Sequence, residues 1–135
     1  QGNWEASEEQ YRKALELDPD STISLCNLGM MDINKGRLEE GIEKCRKALE
    51  INPQMPEAYV HIGRAYLSMG LLDDSIRALE KALDIAPDFA LAHNNLAVTY
   101  YHNREYDMAN AHCDRAIELG YPVHPEFLKL LNARR

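Results

Sequence analysis

Pro19, Pro53 and Pro87 stand 34 residues apart, and each closes the same phrase: Ala14-Leu15-Glu16-Leu17-Asp18, Ala48-Leu49-Glu50-Ile51-Asn52 and Ala82-Leu83-Asp84-Ile85-Ala86. A fixed period of this length means one supersecondary unit copied along the chain, each copy burying its apolar face only against its neighbours. Such a chain folds as a stack, and its function then rests on surfaces rather than on an enclosed pocket. Between the prolines the apolar residues recur at a period of 3.6 with no alternating stretch, which predicts helices only.

Each full unit reads as two helices. In the segment from Ala58 to Tyr66, Tyr59, Ile62 and Tyr66 share one face at spacings of three and four. Gly63 lies on that face, and a position without Cβ lets the paired helix come close. Gly36 and Gly70 mark the connection, after which Leu38, Ile42 and Cys45, or Leu72, Ile76 and Leu79, open the second helix. Proline disfavours helix in the residue before it, so Asp18, Asn52 and Ala86 are the natural boundaries between units. Asp73 and Asp74 suit the positive end of a helix dipole.

Leu25, Leu28, Gly29 and Asp32, then Tyr59, Ile62, Gly63 and Tyr66, then His93, Leu96, Ala97 and Tyr100 follow the pattern Trp-x2-Leu-Gly-x2-Tyr. Gly41, Cys45 and Ala48, Ser75, Leu79 and Ala82, and Ala109, Cys113 and Ala116 supply a later small, apolar, small triplet. On these residues the chain resembles the tetratricopeptide repeat (TPR) family over nearly its whole length. The resemblance implies an all-α fold, a right-handed α-solenoid of antiparallel helix pairs, read as a single domain over residues 1–135. Residues 1–21, with Gly2, Trp4, Ser7, Tyr11 and Ala14 in the matching places, read as the second helix of a truncated repeat. Residues 22–55, 56–89 and 90–123 read as full repeats, and 124–135 as a capping helix. In that cap Phe127, Leu130 and Leu131 are expected to cover the last repeat while Lys129, Arg134 and Arg135 face water. A chain that opens inside a repeat is expected to be a fragment of a longer protein. Two positions depart from the pattern: Asp32 replaces an aromatic residue and Arg104 replaces the inter-helix glycine, so packing around the first and the turn at the second are expected to differ.

Composition narrows the function classes. A net charge of -7 and a pI near 5.2 argue against a polyanion binder, so nucleic acid is not an expected partner. No apolar run approaches the roughly 18 to 20 residues of a membrane span, and no charged-then-apolar leader opens the chain. The three cysteines, Cys26, Cys45 and Cys113, are odd in number and lack zinc or redox spacings, which points to a reducing, cytoplasmic setting. Cys45 and Cys113 occupy the repeat position of Tyr11 and Leu79 and read as small core side chains. No serine has a nucleophile-elbow context, no glycines form a phosphate loop, and the carboxylates fall on exposed faces. No catalytic residue, cofactor or metal is therefore assigned, and the segment is read as not an enzyme. His102, His112 and Cys113 lack ligand spacing.

The resemblance places the functional surface on a concave groove lined by the first helix of each repeat. The candidate residues are Asn27, Met30 and Ile33, then Val60, His61, Arg64 and Leu67, then Asn94, Asn95, Val98 and Tyr101. Asn27, His61 and Asn95 recur once per repeat. An amide donates and accepts at once, so such a row can bond the backbone of an extended peptide whatever its sequence. The row resembles the asparagine ladder of the nucleocytoplasmic O-linked glycosyltransferase family; alternatively, the two asparagines bond locally to neighbouring helices. The family's carboxylate clamp for chaperone C-termini needs Lys, Asn and Arg where this chain has Cys26, Met30, His61, Leu91 and Asn95, so no clamp is expected. The apolar side chains suit a hydrophobic or amphipathic segment. The expected function is thus a non-catalytic scaffold that binds a peptide or helix of another protein. The alternatives are an architectural role, with a homo-oligomer formed through the N-terminal helix around Trp4, and repeats that serve an enzyme domain outside this segment.

Overall fold

The computed structural model describes residues 2–135. Among them are eight helices and no strand: α1 (Gly2–Leu17), α2 (Thr22–Asn34), α3 (Leu38–Ile51), α4 (Pro56–Ser68), α5 (Leu72–Ile85), α6 (Ala90–His102), α7 (Tyr106–Glu118) and α8 (Pro125–Asn132). The most extensive contacts join α2 to α3, α4 to α5 and α6 to α7, and the next join α3 to α4 and α5 to α6. Beyond these, α2 touches α4 and α4 touches α6, while no comparable contact joins α3 to α5 or α5 to α7. One layer, α2, α4 and α6, is therefore closed, and the other, α3, α5 and α7, is open. A stack packed more closely on one side curves toward that side, so α2, α4 and α6 line the concave face of an all-α solenoid.

The repeated prolines act where the period places them. The amides of Asp18, Asn52 and Ala86 close the preceding helices on the carbonyls of Ala14, Ala48 and Ala82 at 2.8, 2.8 and 2.9 Å. Pro19, Pro53 and Pro87 follow and have no N–H with which to continue. Over the first two prolines the side chains of Asp18 and Asn52 accept from the amides of Asp20 and Gln54, each at 3.1 Å. Ser21 caps α2 by accepting from the amide of Ser24 at 3.4 Å, and Pro56 begins α4 at a position where a missing N–H costs nothing.

The turn inside each pair has one geometry. After α2 the amide of Gly36 bonds to Ile33 O and that of Arg37 to Asp32 O, and the same two bonds recur after α4 at Gly70 and Leu71. Gly36 and Gly70 have φ of 85° and 77°, the left-handed region. After α6 the corresponding bonds run from Arg104 to Tyr101 O and from Glu105 to Tyr100 O, and Arg104 itself takes φ 64°. The departure noted in the sequence thus leaves the turn unchanged and puts a side chain in a strained conformation. Arg104→Gly is expected to stabilise the protein by about 1 kcal/mol, read by urea unfolding, because left-handed backbone costs a side-chain residue roughly that much.

The paired helices meet through small residues. A Cβ on Gly41 would lie 2.6 Å from the carbonyl oxygen of Gly29, and one on Gly29 would lie 2.7 Å from Cys45 Sγ. In the next pair Ser75 stands in place of Gly41, and its hydroxyl donates to the Gly63 carbonyl at 2.8 Å. Cys45, Ala48, Leu79, Ala82, Cys113 and Ala116 are fully buried along these seams, as expected of the small, apolar, small triplets.

Asp32 is buried although charged. Arg37 Nη2 reaches its Oδ1 at 2.7 Å and Lys44 Nζ bonds its Oδ2. Burial pushes its pKa up, but hydrogen bonds and attraction from Lys44 and Arg37 outweigh that and hold the carboxyl below its ordinary range. Glu8 of α1, also buried, is bound by Lys35 and Arg12, with Arg37 3.6 Å away. A linked set of two acids and four cations thus replaces an aromatic contact and ties α1 to α2 and α3.

At the other end Leu131 of α8 is fully buried, with Phe127 and Leu128 packed beside it against the same cluster. Leu130 is 50 % exposed, so Leu128 and not Leu130 completes the cap. Arg134 and Arg135 also do more than face water. Arg134 lies 5.0 Å over the Tyr106 ring, and Arg135 donates to Asp114 at 2.8 Å, which ties the cap to α7.

Candidate peptide groove

The concave face divides the expected residues into two groups. Asn27 and Met30 on α2, Arg64 and Leu67 on α4, and Asn94, Asn95, Val98 and Tyr101 on α6 are all half-buried, which leaves each some surface for a ligand. Val60 has no exposed surface and belongs to the core cluster with Leu96 and Ala97. Ile33 is 6 % exposed, and its Cγ1 would lie 2.5 Å from a Cβ on Gly41. Val60 and Ile33 therefore support the groove from beneath instead of lining it. The reason is local: Val60 is consumed by packing on α6 within the closed layer, and Ile33 by packing on Gly41 of α3.

Polar groups of the groove differ in what they bond. Arg64 Nη2 donates to Asn34 Oδ1 at 2.7 Å, which bridges two successive first helices. The two lie 30 residues apart and not one full repeat, so Asn34 is the counterpart of Ser68 and Arg64 that of Met30. His61 is 8 % exposed, and its Nδ1 is buried without a hydrogen-bond partner. Asn95 Nδ2 is buried without one as well. Below Asn95, Thr99 Oγ1 donates to Asn95 O at 2.8 Å and lies 3.2 Å from Ser75 Oγ. Tyr101 closes the far end, its ring edge-on to Phe127 and Tyr106 at centroid separations of 5.7 and 5.5 Å.

His112 lies elsewhere, on the open side. Its Nδ1 faces His93 Nδ1 at 3.0 Å, and His93 Nε2 donates to Pro87 O at 2.9 Å, which leaves His93 Nδ1 to accept when the ring is neutral. Burial and then the nearby His93 lower the His112 pKa. His102 is exposed at the end of α6. Among the described residues no three His, Cys, Asp or Glu side chains converge as a metal site, and no helix is long and apolar enough to cross a membrane.

A helical stack with a half-buried polar and apolar stripe along its closed face is a repeat module for protein interaction. Family comparison gives the class its name: residues 31–70 and 63–103 match the TPR repeat, and residues 90–120 and 1–21 match tetratricopeptide repeat patterns. The chain belongs to the tetratricopeptide repeat family. No curated protein matches it. Among solved structures, a crystal structure of MamA is 25% identical with a TM-score of 0.75, covering 88% of this chain and 70% of the MamA chain. A thermophilic TPR protein of Thermus thermophilus superposes with a TM-score of 0.81 at 21% identity, covering 88% of this chain and 67% of that one. The first TPR of Spaghetti (RPAP3), bound to the HSP90 peptide SRMEEVD, has a TM-score of 0.77 at 17% identity, covering 86% and 91%. This chain spans 64% to 70% of the first two MamA chains.

Proposed function

We propose that the repeats form a non-catalytic scaffold whose concave groove holds an extended peptide segment of a partner protein. One observation carries this reading. Asn95 Nδ2 and His61 Nδ1, one repeat apart on the closed face, are buried without a partner inside the chain. A buried polar atom left unpaired costs about 1 to 3 kcal/mol, and turning these side chains outward to a peptide backbone lying along α2, α4 and α6 would pair them. That the peptide-bound RPAP3 repeat shares this fold supports a peptide as the partner, although the carboxylate-clamp cations are not among this chain's groove residues. Met30, Leu67 and Val98 give such a peptide apolar contacts between the polar rungs.

The two readings of the asparagines separate by stability. If Asn95 served only to bond neighbouring helices, Asn95→Ala would destabilise the fold. With no internal partner at Nδ2, Asn95→Ala is expected to leave the unfolding free energy unchanged or to raise it, because it removes an unpaired buried group. Peptides selected from a displayed random library on the wild-type protein are expected to bind the Asn27→Ala, Asn95→Ala variant about tenfold more weakly by fluorescence anisotropy, a loss near 1.4 kcal/mol. Equal binding by the variant would remove the ladder from the account.

A second reading, self-association through α1, has Trp4 in its favour. Its side chain is 55% exposed beside a cleft of about 240 Å³ that Met31 and Lys35 also line. Sedimentation is expected to show a concentration-dependent dimer that Trp4→Glu abolishes; a wild-type monomer across the concentration range would rule this reading out.

A further inference from the structure

The open layer repeats one cleft three times, between α1 and α3, α3 and α5, and α5 and α7, because each pair of second helices stands apart over a first helix. The period makes the three comparable residue by residue. In the first, the place of Tyr66 is taken by Asp32, bound by Lys44 and Arg37. In the third, His112 stands where the middle cleft has Ala78, stacked on Tyr100 at 5.6 Å and bonded to His93, so side chains of the protein itself fill the space. The first cleft remains open at about 360 Å³, with Asp32 and Lys44 on its lining; the middle cleft is open as well, at about 470 Å³, and has Tyr66 and Ala78 in those two places.

Its chemistry also differs. Arg46, Arg77 and Lys81 line it, whereas the equivalent places hold Arg12, Glu43 and Lys47 in the first cleft and Glu80, Ala111 and Arg115 in the third. Only the middle cleft has a cation at all three. Tyr59, Ile62 and Tyr66 give it apolar walls; Lys81 Nζ sits 5.8 Å over the Tyr59 ring, and Arg46 donates to the Tyr66 hydroxyl. Glu50 and Asp74 are the acids on its lining, and Asp74 is paired with Arg77 in an exposed contact. A pair of that kind contributes little, so exchanging it for another carboxylate costs little. In a chain of net charge -7 this concentration of cations around two tyrosine rings is a local reversal of sign.

We propose that the cleft between α3 and α5 is a second binding site, on the convex face, for an acidic segment of a partner protein. An apolar side chain of that segment lies against Tyr59 and Tyr66, and carboxylates on either side meet Arg46, Arg77 and Lys81. The site is independent of the concave groove, and either can fail without the other.

The test uses a fluorescein-labelled peptide Glu-Glu-Leu-Glu-Glu and its counterpart with glutamine at every glutamate, followed by anisotropy and by backbone amide shifts. The acidic peptide is expected to bind, to weaken as salt rises, and to move amides of α3, α4 and α5 around the cleft. Arg46→Glu with Lys81→Glu, both at exposed positions, is expected to weaken binding about tenfold or more, while Asn27→Ala with Asn95→Ala leaves it unchanged. Circular dichroism of the charge-reversed variant checks that it is folded. The proposal is overturned by no binding to wild type, by equal binding of the glutamine peptide or of the charge-reversed variant, or by shifts confined to α2 and α6. A dimer abolished by the charge reversal, with no binding of the acidic peptide, would overturn it in favour of a second copy of this chain.

Discussion

Gly41→Ala is expected to lower the unfolding free energy by about 2 kcal/mol, although the same exchange in an unconstrained helix gains about 1 kcal/mol. The new methyl would stand 2.5 Å from Ile33 Cγ1 and 2.6 Å from the Gly29 carbonyl oxygen. A side chain can turn away from such a contact, but a carbonyl inside a helix cannot move without its helix, so α2 and α3 must separate. Gly63→Ala meets only side-chain atoms of Leu79 at 2.7 and 2.9 Å and is expected to cost less. Gly36→Ala meets nothing within 4 Å and is expected to cost about 1 kcal/mol through its left-handed backbone alone. Urea unfolding of the three variants should show the greatest damage at Gly41. A neutral Gly41→Ala would mean that α2 and α3 do not pack this closely.

Asp32→Asn is expected to cost about 2 kcal/mol at neutral pH, below the usual penalty for breaking a fully buried pair because the side chains of Arg37 and Lys44 remain 38% and 34% exposed and can take up water. The pH dependence has a definite sign. Lys35 and its neighbours lower the pKa of Glu8, and Lys44 and Arg37 outweigh burial to lower that of Asp32. A carboxyl with a depressed folded pKa stabilises the protein fully above its unfolded value, near pH 4, and that contribution is lost as pH falls through the folded value. Wild type and Asp32→Asn should therefore differ most near pH 7 and converge toward about pH 2. A difference that grew on acidification would contradict the ion network.

Helix ends were the most legible part of the fold. Asp18, Asn52 and Ala86 close their helices because a proline without an N–H follows each one, and a rule that depends on two adjacent residues survives any tertiary context. Gly36 and Gly70 were legible for a similarly local reason. Arg104 shows how far tertiary context overrides propensity: the packing of α6 on α7 imposes the same left-handed turn on a residue that resists it. The exchange of Leu130 for Leu128 in the cap has the opposite origin, since α8 packs on a surface that no repeat period describes.

The groove was legible only in part. Position within the repeat puts Asn27, Arg64 and Asn95 on α2, α4 and α6, where all three are half-buried, but spacing does not tell a half-buried residue from one consumed by the seam between first helices, which is where Val60 lies. Arg46, Arg77 and Lys81 carry no motif, because they come from two helices and have no common spacing. Their signal appears only when equivalent positions of successive repeats are compared for charge.

The most direct test of the concave groove is amide shift mapping with a library-selected peptide. Shifts are expected along α2, α4 and α6, including Asn27, His61 and Asn95, and to need about tenfold more peptide in the Asn27→Ala, Asn95→Ala variant. Shifts confined to α3, α5 and α7 with the same affinity for the variant would contradict it.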